Sequence, residues 1–188
     1  MILYHGGHRW EGPPTIQQHR RGHAEHGPGI YLTTSWETAN KYAKGGGAVY
    51  RVTVGPPAGW AESTNIPVTD VIEFVRGLLG RGVRSKSTLE SIERVHARMG
   101  GGMIPAFALI AIFVNADLAS GKYGPPLAEF LVKHGVDASL VTQGTEDWVV
   151  VFNPSIITQV TRLNATDTRT PGFQFLLPKI AHRWLMGG

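Results

Sequence analysis

Strand patterns stand at both ends of this 188-residue chain and helical patterns fill its middle, and that order restricts the folds open to it. A regular alternation of strand and helix would point to a parallel, doubly wound sheet. Strands gathered from the two ends of a chain instead pair in an antiparallel or mixed sheet with helices packed on it, an α+β architecture.

At the N-terminal end, Met1–His5 reads as a strand that runs into Gly6-Gly7, and Ile30–Leu32 is a short second strand entered through Gly29. Both are apolar runs that carry one polar residue beside glycine, the pattern of a strand that ends at a ligand. Between them, Gly6–Gly29 is rich in Gly, Pro, His and Arg and has no hydrophobic period. A loop of that length in a compact domain is usually a lid or a binding loop. Thr34 or Ser35 can cap a helix over Trp36–Ala43, which the glycines at 45–47 end, and Ala48–Val54 alternates as a strand up to Gly55-Pro56-Pro57.

The middle carries four helical patterns. Val68–Leu79 places Val71, Ile72, Val75 and Leu78 on one face. Ser87–Met99 opens on a capping box, Ser87 with Glu90, and lines up Leu89, Ile92, Val95 and Met99. Ala106–Leu118 is apolar nearly all round, which predicts a central buried helix. Pro125–His134 is a fourth helix, stopped by Gly135. Ala138–Thr142 and Asp147–Phe152 then read as a hairpin turning through Gln143-Gly144-Thr145-Glu146, and Ile156–Leu163 as the last strand. No internal repeat is visible. The expected organisation is one domain over 1–163, with a helical insertion at about 68–134, and a C-terminal tail over 164–188 whose Phe173, Phe175, Leu176 and Trp184 suit a docked tail or a partner surface.

With 42% hydrophobic residues the chain can bury a core, and without cysteine it has neither disulfides nor thiolate zinc sites. The longest apolar stretch, Ile104–Leu118, is interrupted by Asn115 and Asp117 and falls short of a membrane span. The chain opens directly on a strand pattern rather than on a basic-then-apolar leader. The expectation is a soluble, cytoplasmic protein with no membrane partner. A formal charge of +4 and a pI near 9.6 are a modest basic excess, compatible with nucleic acid or an acidic protein.

His5 and Tyr31 sit at glycine-flanked strands, and Tyr42 lies on the helix just after the second. Two aromatic rings can sandwich a flat heterocycle while backbone amides grip a carboxamide. The order Tyr4-His5-Gly6, then Gly29-Ile30-Tyr31-Leu32-Thr33, then Ala39-Asn40-Lys41-Tyr42-Ala43 resembles the ADP-ribosyltransferases of the diphtheria-toxin and poly(ADP-ribose) polymerase type. Their signature is a His, a Tyr and a third polar residue, usually Glu, on three separate strands. Trp148–Ile157 is similar to the last core strand of small bacterial and phage-borne members, and the resemblance extends over roughly 1–162 with the helical middle unmatched.

The resemblance implies a split antiparallel or mixed sheet around a cleft for NAD, which is a substrate of the reaction. His5 would bond the adenosine ribose, the Gly6 backbone would hold the nicotinamide amide with Ser35 adding a bond to it, and Tyr31 and Tyr42 would stack on the nicotinamide ring. The implied chemistry is loss of nicotinamide through an oxocarbenium-like centre, trapped by a nucleophile of a macromolecular target. It is mono-ADP-ribosyl transfer of the bacterial-toxin or phage-effector kind, with an antitoxin or host protein as a further partner.

The third residue departs from the family pattern. The family register puts Gln143 there, a residue that can bond the ribose but carries no charge; Asp147 and then Glu146 are the alternatives. Without a carboxylate, a catalytically inactive module binding NAD, ADP-ribose or nucleic acid is the alternative function. An interaction protein that docks through its tail is a third.

Five of the eight histidines precede residue 27: His5, His8, His19, His23 and His26. His19 and His23 have helical spacing, but in a loop broken by Gly and Pro and with only Glu11 and Glu25 nearby, so no metal site is expected. The segment Gln17–His26 suits a basic flap over the pyrophosphate or the target.

Overall fold

The computed structural model describes residues 1–20, 23–43 and 45–163. The tail expected over 164–188 lies outside them. Among the described residues, eight strands and five α-helices follow one another in an α+β arrangement with antiparallel pairing throughout its sheets. Among the described residues no helix is long and apolar enough to cross a membrane.

Six strands form the main sheet: β1 (Ile2–Gly7), β2 (Ile30–Thr33), β3 (Ala48–Val54), β6 (Ala138–Gln143), β7 (Glu146–Val151) and β8 (Ile157–Arg162), in the order β6-β7-β2-β1-β3-β8. Strands from both ends of the described residues thus meet in one sheet, in keeping with the end-weighted strand pattern. The pairing is uneven. β1 is registered with β3 along its length, from Ile2 opposite Thr53 to Gly7 opposite Ala48. β2 is likewise registered with β7, from Ile30 opposite Val151 to Thr33 opposite Trp148. Between β1 and β2 one register pair remains, Tyr4 opposite Thr33. The sheet therefore parts into two halves at its centre.

One face of the sheet is covered in two places. Helix α1 (Trp36–Tyr42) lies on β1 and β3, where Tyr4, Ala39 and Val49 pack together. Further across, Val150 and Phe152 join the core of the helical middle, α2 (Val68–Leu79), α3 (Val83–Met99), α4 (Ala106–Asn115) and α5 (Gly124–Lys133). The opposite face carries Leu3, Leu32, Val52, Val149 and Val151, covered partly by Trp10 and Trp60 from loops. Asp137 fastens one such loop: its carboxylate accepts from the Ala58 amide at 2.7 Å and from the Asn153 side chain at 2.7 Å.

Two short strands, β4 (Asn65–Pro67) and β5 (Met103–Pro105), pair with each other and are missing from the sequence expectation. Ile66 faces Ile104, both fully buried, and each strand feeds a helix through proline. Three residues are too few for a period to show.

Three expectations need correction. Helix α3 starts at Val83 rather than Ser87, so the capping box does not form; Ser87 instead donates to the Arg84 carbonyl from inside the helix. Its buried residues are Ser85, Thr88 and Ile92, the first two small polar residues that an apolar period passes over, while Met99 at the end of the expected stripe is exposed. Helix α4 is not buried all round: Ala106, Leu109, Ile110 and Phe113 face the core, but Phe107 is half exposed. The helix also ends at Asn115, before Asp117 with its positive φ of 54°. Finally, the β6–β7 turn is Gly144-Thr145 alone, with Gly144 at a φ of 63°, and Gln143 and Glu146 are the last paired residues rather than turn residues.

Candidate active site

Where β1 and β2 part, a cleft of about 270 Å³ opens on the α1 side of the sheet. The residues that border it come from elements far apart in sequence: His5 and Gly6 from β1, Tyr31 from β2, Tyr42 from α1, Gln143 from β6 and Trp148 from β7. The loop between β1 and β2 closes one side with His19, His23, Glu25 and His26. A second hollow of about 160 Å³, bordered by Arg9, Trp10 and Gln17, shares His5, His19 and Tyr31 with the first. These three side chains form the wall between the two.

His5 stands at the fork of the sheet. Its Nδ1 lies 2.9 Å from the Tyr31 carbonyl oxygen. A carbonyl can only accept, so Nδ1 carries the proton and donates, and Nε2 is left with its lone pair. Burial lowers the pKa of the ring below the usual histidine value, against the opposing effect of that hydrogen bond, and keeps it neutral. The ring is held edge-on to Trp10 at 5.1 Å and tilted to Tyr50 at 6.4 Å. Gly7 makes room for it, since a Cβ there would stand 2.8 Å from Nε2.

Gly6 has a structural reason of its own. A Cβ on it would lie 1.7 Å from the Ala39 carbonyl oxygen, so glycine is what lets α1 descend onto β1. Its place at a strand end suggests ligand approach, but helix–strand packing already requires it. Gly29 is alike, its Cβ direction being filled by Val150 and the Val151 carbonyl of β7.

Tyr31 presents its ring to the cleft, with His19 edge-on at 5.6 Å and His26 tilted at 6.4 Å. Its hydroxyl is taken up in the loop: it donates to the Gly27 carbonyl and accepts from the His26 amide, both at 2.9 Å. Burial pushes its pKa up to about 12, with the His26 bond opposing and the charge of Glu25 reinforcing. Tyr42 is largely exposed at the end of α1 and meets Trp148 edge-on at 5.6 Å. It is a rim residue, which a core role would not leave so open.

The three candidates for the third position separate cleanly. Gln143 borders the cleft, and its amide nitrogen donates to His26 Nε2 at 2.9 Å. Glu146, opposite it, shares that sheet face but is held under α1 by the Thr38 hydroxyl, whose Oγ1 stands 2.7 Å from both carboxylate oxygens. Asp147 is one residue on and therefore points to the other face, where it accepts from the Thr142 hydroxyl at 2.7 Å. Ser35 does not border the cleft; it caps α1, accepting from the Thr38 amide at 3.1 Å and donating to Glu37 at 3.2 Å.

His19 and Glu25 fall within the flap expected over Gln17–His26, whereas nothing in the sequence assigns Trp10 or Trp148 to the site. Trp148 alternates with Glu146 on β7 and is legible once the hairpin register is known. Trp10, His19 and Glu25 lie in a segment without periodicity, where only tertiary contacts place them. His19 is tied down at Nε2, 2.8 Å from the Gly29 carbonyl, while its own carbonyl accepts from the Gly121 amide at 2.8 Å. Among the described residues no group of three or more His, Asp or Glu is arranged to hold a metal ion.

A larger crevice of about 880 Å³ lies away from this site, between the end of α2 and the start of α3, bordered by Arg76, Arg81 and Lys86 as well as Glu90 and Glu93. Its charges are mixed and it contains no aromatic platform. No family model matches the chain, and neither does any curated protein or solved structure. The residues of the cleft are thus the ground for a functional reading.

Proposed function

We propose that the protein is an NAD-dependent mono-ADP-ribosyltransferase acting on a macromolecular target. One observation carries the reading: His5, Gly6, Tyr31, Tyr42 and Gln143, drawn from four separate elements, border a single cleft at the fork of the sheet. In this reading Tyr42 and Tyr31 flank the nicotinamide ring, with Trp148 behind Tyr42. Neutral His5 offers Nε2 as an acceptor to a ribose hydroxyl, its orientation fixed by the Tyr31 carbonyl. Gln143 bonds the nicotinamide ribose. The second hollow, with Trp10 and Arg9, takes the other end of the dinucleotide. The target is a protein or nucleic acid, in keeping with the basic balance of the chain, and an antitoxin or host protein in the cytoplasm is a fitting further partner.

A second reading is favoured by the uncharged Gln143 at the position where a carboxylate is usual: a module that binds NAD, ADP-ribose or nucleic acid without turnover. Nicotinamide release by the purified protein, followed with and without cell lysate, decides between them. Release that requires His5 and is stimulated by lysate supports the transferase. NAD binding without release supports the module, and neither binding nor release removes the transferase and the NAD-binding form of the module.

A further inference from the structure

Resting on the transferase reading, we propose that Glu25, on the loop between β1 and β2, is the carboxylate of the reaction. It faces the developing ribosyl cation and takes the proton of the target nucleophile.

The chemistry requires such a group. The bond between ribose C1′ and the nicotinamide nitrogen breaks, and its electron pair goes to that nitrogen, leaving nicotinamide neutral. C1′ bonds to the nucleophilic atom of the target, and the proton of that atom must go to a base. Positive charge gathers on the ribose ring meanwhile, so a fixed negative charge nearby lowers the barrier.

The hairpin provides none. Gln143 is uncharged, Glu146 is engaged by Thr38 beneath α1, and Asp147 lies on the other side of the sheet with Thr142. Among the described residues that border the cleft, Glu25 is the one carboxylate, and its side chain is exposed at the rim.

Its backbone is held firmly for a loop residue. Ala24 is buried in the helical core, and the Gly27 amide donates to the Ala24 carbonyl at 3.1 Å, which makes Glu25-His26 the centre of a tight turn. The Tyr31 hydroxyl clamps that turn from below through the His26 amide and the Gly27 carbonyl. His26 in turn holds Gln143. One clamp thus presents the Glu25 carboxylate and the Gln143 amide to the same mouth of the cleft. The charge of Glu25 is also felt at the Tyr31 hydroxyl, whose acidity it weakens.

The test is steady-state nicotinamide release from NAD by the full chain with lysate, for wild type, Glu25→Gln, Glu25→Asp and Glu146→Gln. Glu25→Gln is expected to lower kcat on the order of 10²-fold, the usual scale for one acid–base group, while KM for NAD changes less than about threefold. Glu25→Asp should recover part of the loss. Thermal unfolding of the exposed variant should match wild type. An active wild type with Glu25→Gln at full kcat overturns the assignment and leaves the transferase reading intact, as does loss of activity in Glu146→Gln alone. A wild type that neither binds NAD nor releases nicotinamide overturns the reading and this inference together.

Discussion

His5 bridges the opening in the sheet: its Nδ1–H donates to the Tyr31 carbonyl at 2.9 Å, between two strands that share a single register pair. A side chain thus stands where a ladder hydrogen bond would otherwise close the sheet. It keeps the fork open and aims the other ring nitrogen at the same time.

That geometry predicts a pH effect on stability. Burial lowers the His5 pKa from its ordinary value of 6.5, so below that value the unfolded chain binds more protons than the folded one. The contribution of neutral His5 is complete above pH 6.5 and is lost as pH falls through the folded value. Urea midpoints of wild type should therefore drop between about pH 7.5 and about pH 5, and His5→Gln should show a smaller drop. An identical drop in both would show that His5 is not the group responsible.

Gly6→Ala tests the descent of α1 onto β1. The new Cβ would lie 1.7 Å from a backbone oxygen, which no rotamer change can relieve. A loss of about 3 kcal/mol or more is expected, at the upper end for overpacking, seen as an early thermal transition in circular dichroism. A variant as stable as wild type would mean that α1 can lift without penalty.

Tyr42→Ala separates rim from core. The residue is 64% exposed, so stability should change by less than about 0.5 kcal/mol. If Tyr42 stacks on the nicotinamide ring, NAD should bind about tenfold more weakly, the equivalent of one aromatic contact. Titration by isothermal calorimetry measures it. Unchanged affinity would remove Tyr42 from the site.

Tyr31→Phe keeps the ring and deletes the clamp. The His26 amide and the Gly27 carbonyl lose their shared partner, at a cost of about 1–2 kcal/mol in unfolding free energy. Nicotinamide release should fall even though the aromatic face remains, because the turn that carries Glu25 is no longer held. Full activity would place the contribution of Tyr31 in its ring alone.

Thr38→Val asks whether Glu146 is structural. Removing the hydroxyl leaves a half-buried carboxylate without its donor, for which a loss of about 1–3 kcal/mol is expected by chemical denaturation. Nicotinamide release should stay within about twofold of wild type, since the pair does not border the cleft. A large change in release with little change in stability would return Glu146 to the reaction.

Much of the fold can be read directly from the residues. Apolar periods place β3 and α2 at the bounds seen in the structure, because Ala48–Val54 alternates cleanly and Val68–Leu79 keeps a helical stripe with Leu79 before Gly80. Glycine and proline mark where strands stop, and strands at both ends of the chain require a sheet that brings those ends together. The capping role open to Ser35 is realised as well.

Other features depend on contacts that no local pattern encodes. Gln143, Glu146 and Asp147 lie within a few residues of one another, and their separation into a cleft residue, a tethered residue and a residue of the far face follows from a two-residue turn and the alternation of strands. The glycine at position 6 resembles a ligand-approach signal, yet the atom that demands it, the Ala39 carbonyl, arrives on a helix that packs from above. Glu25 stands in a segment without periodicity and gains its place from the Tyr31 hydroxyl. Order and element type follow from the spacing of side chains along the chain. Which of those side chains share a cleft follows from which faces meet, and only the packed sheet and its helices decide that.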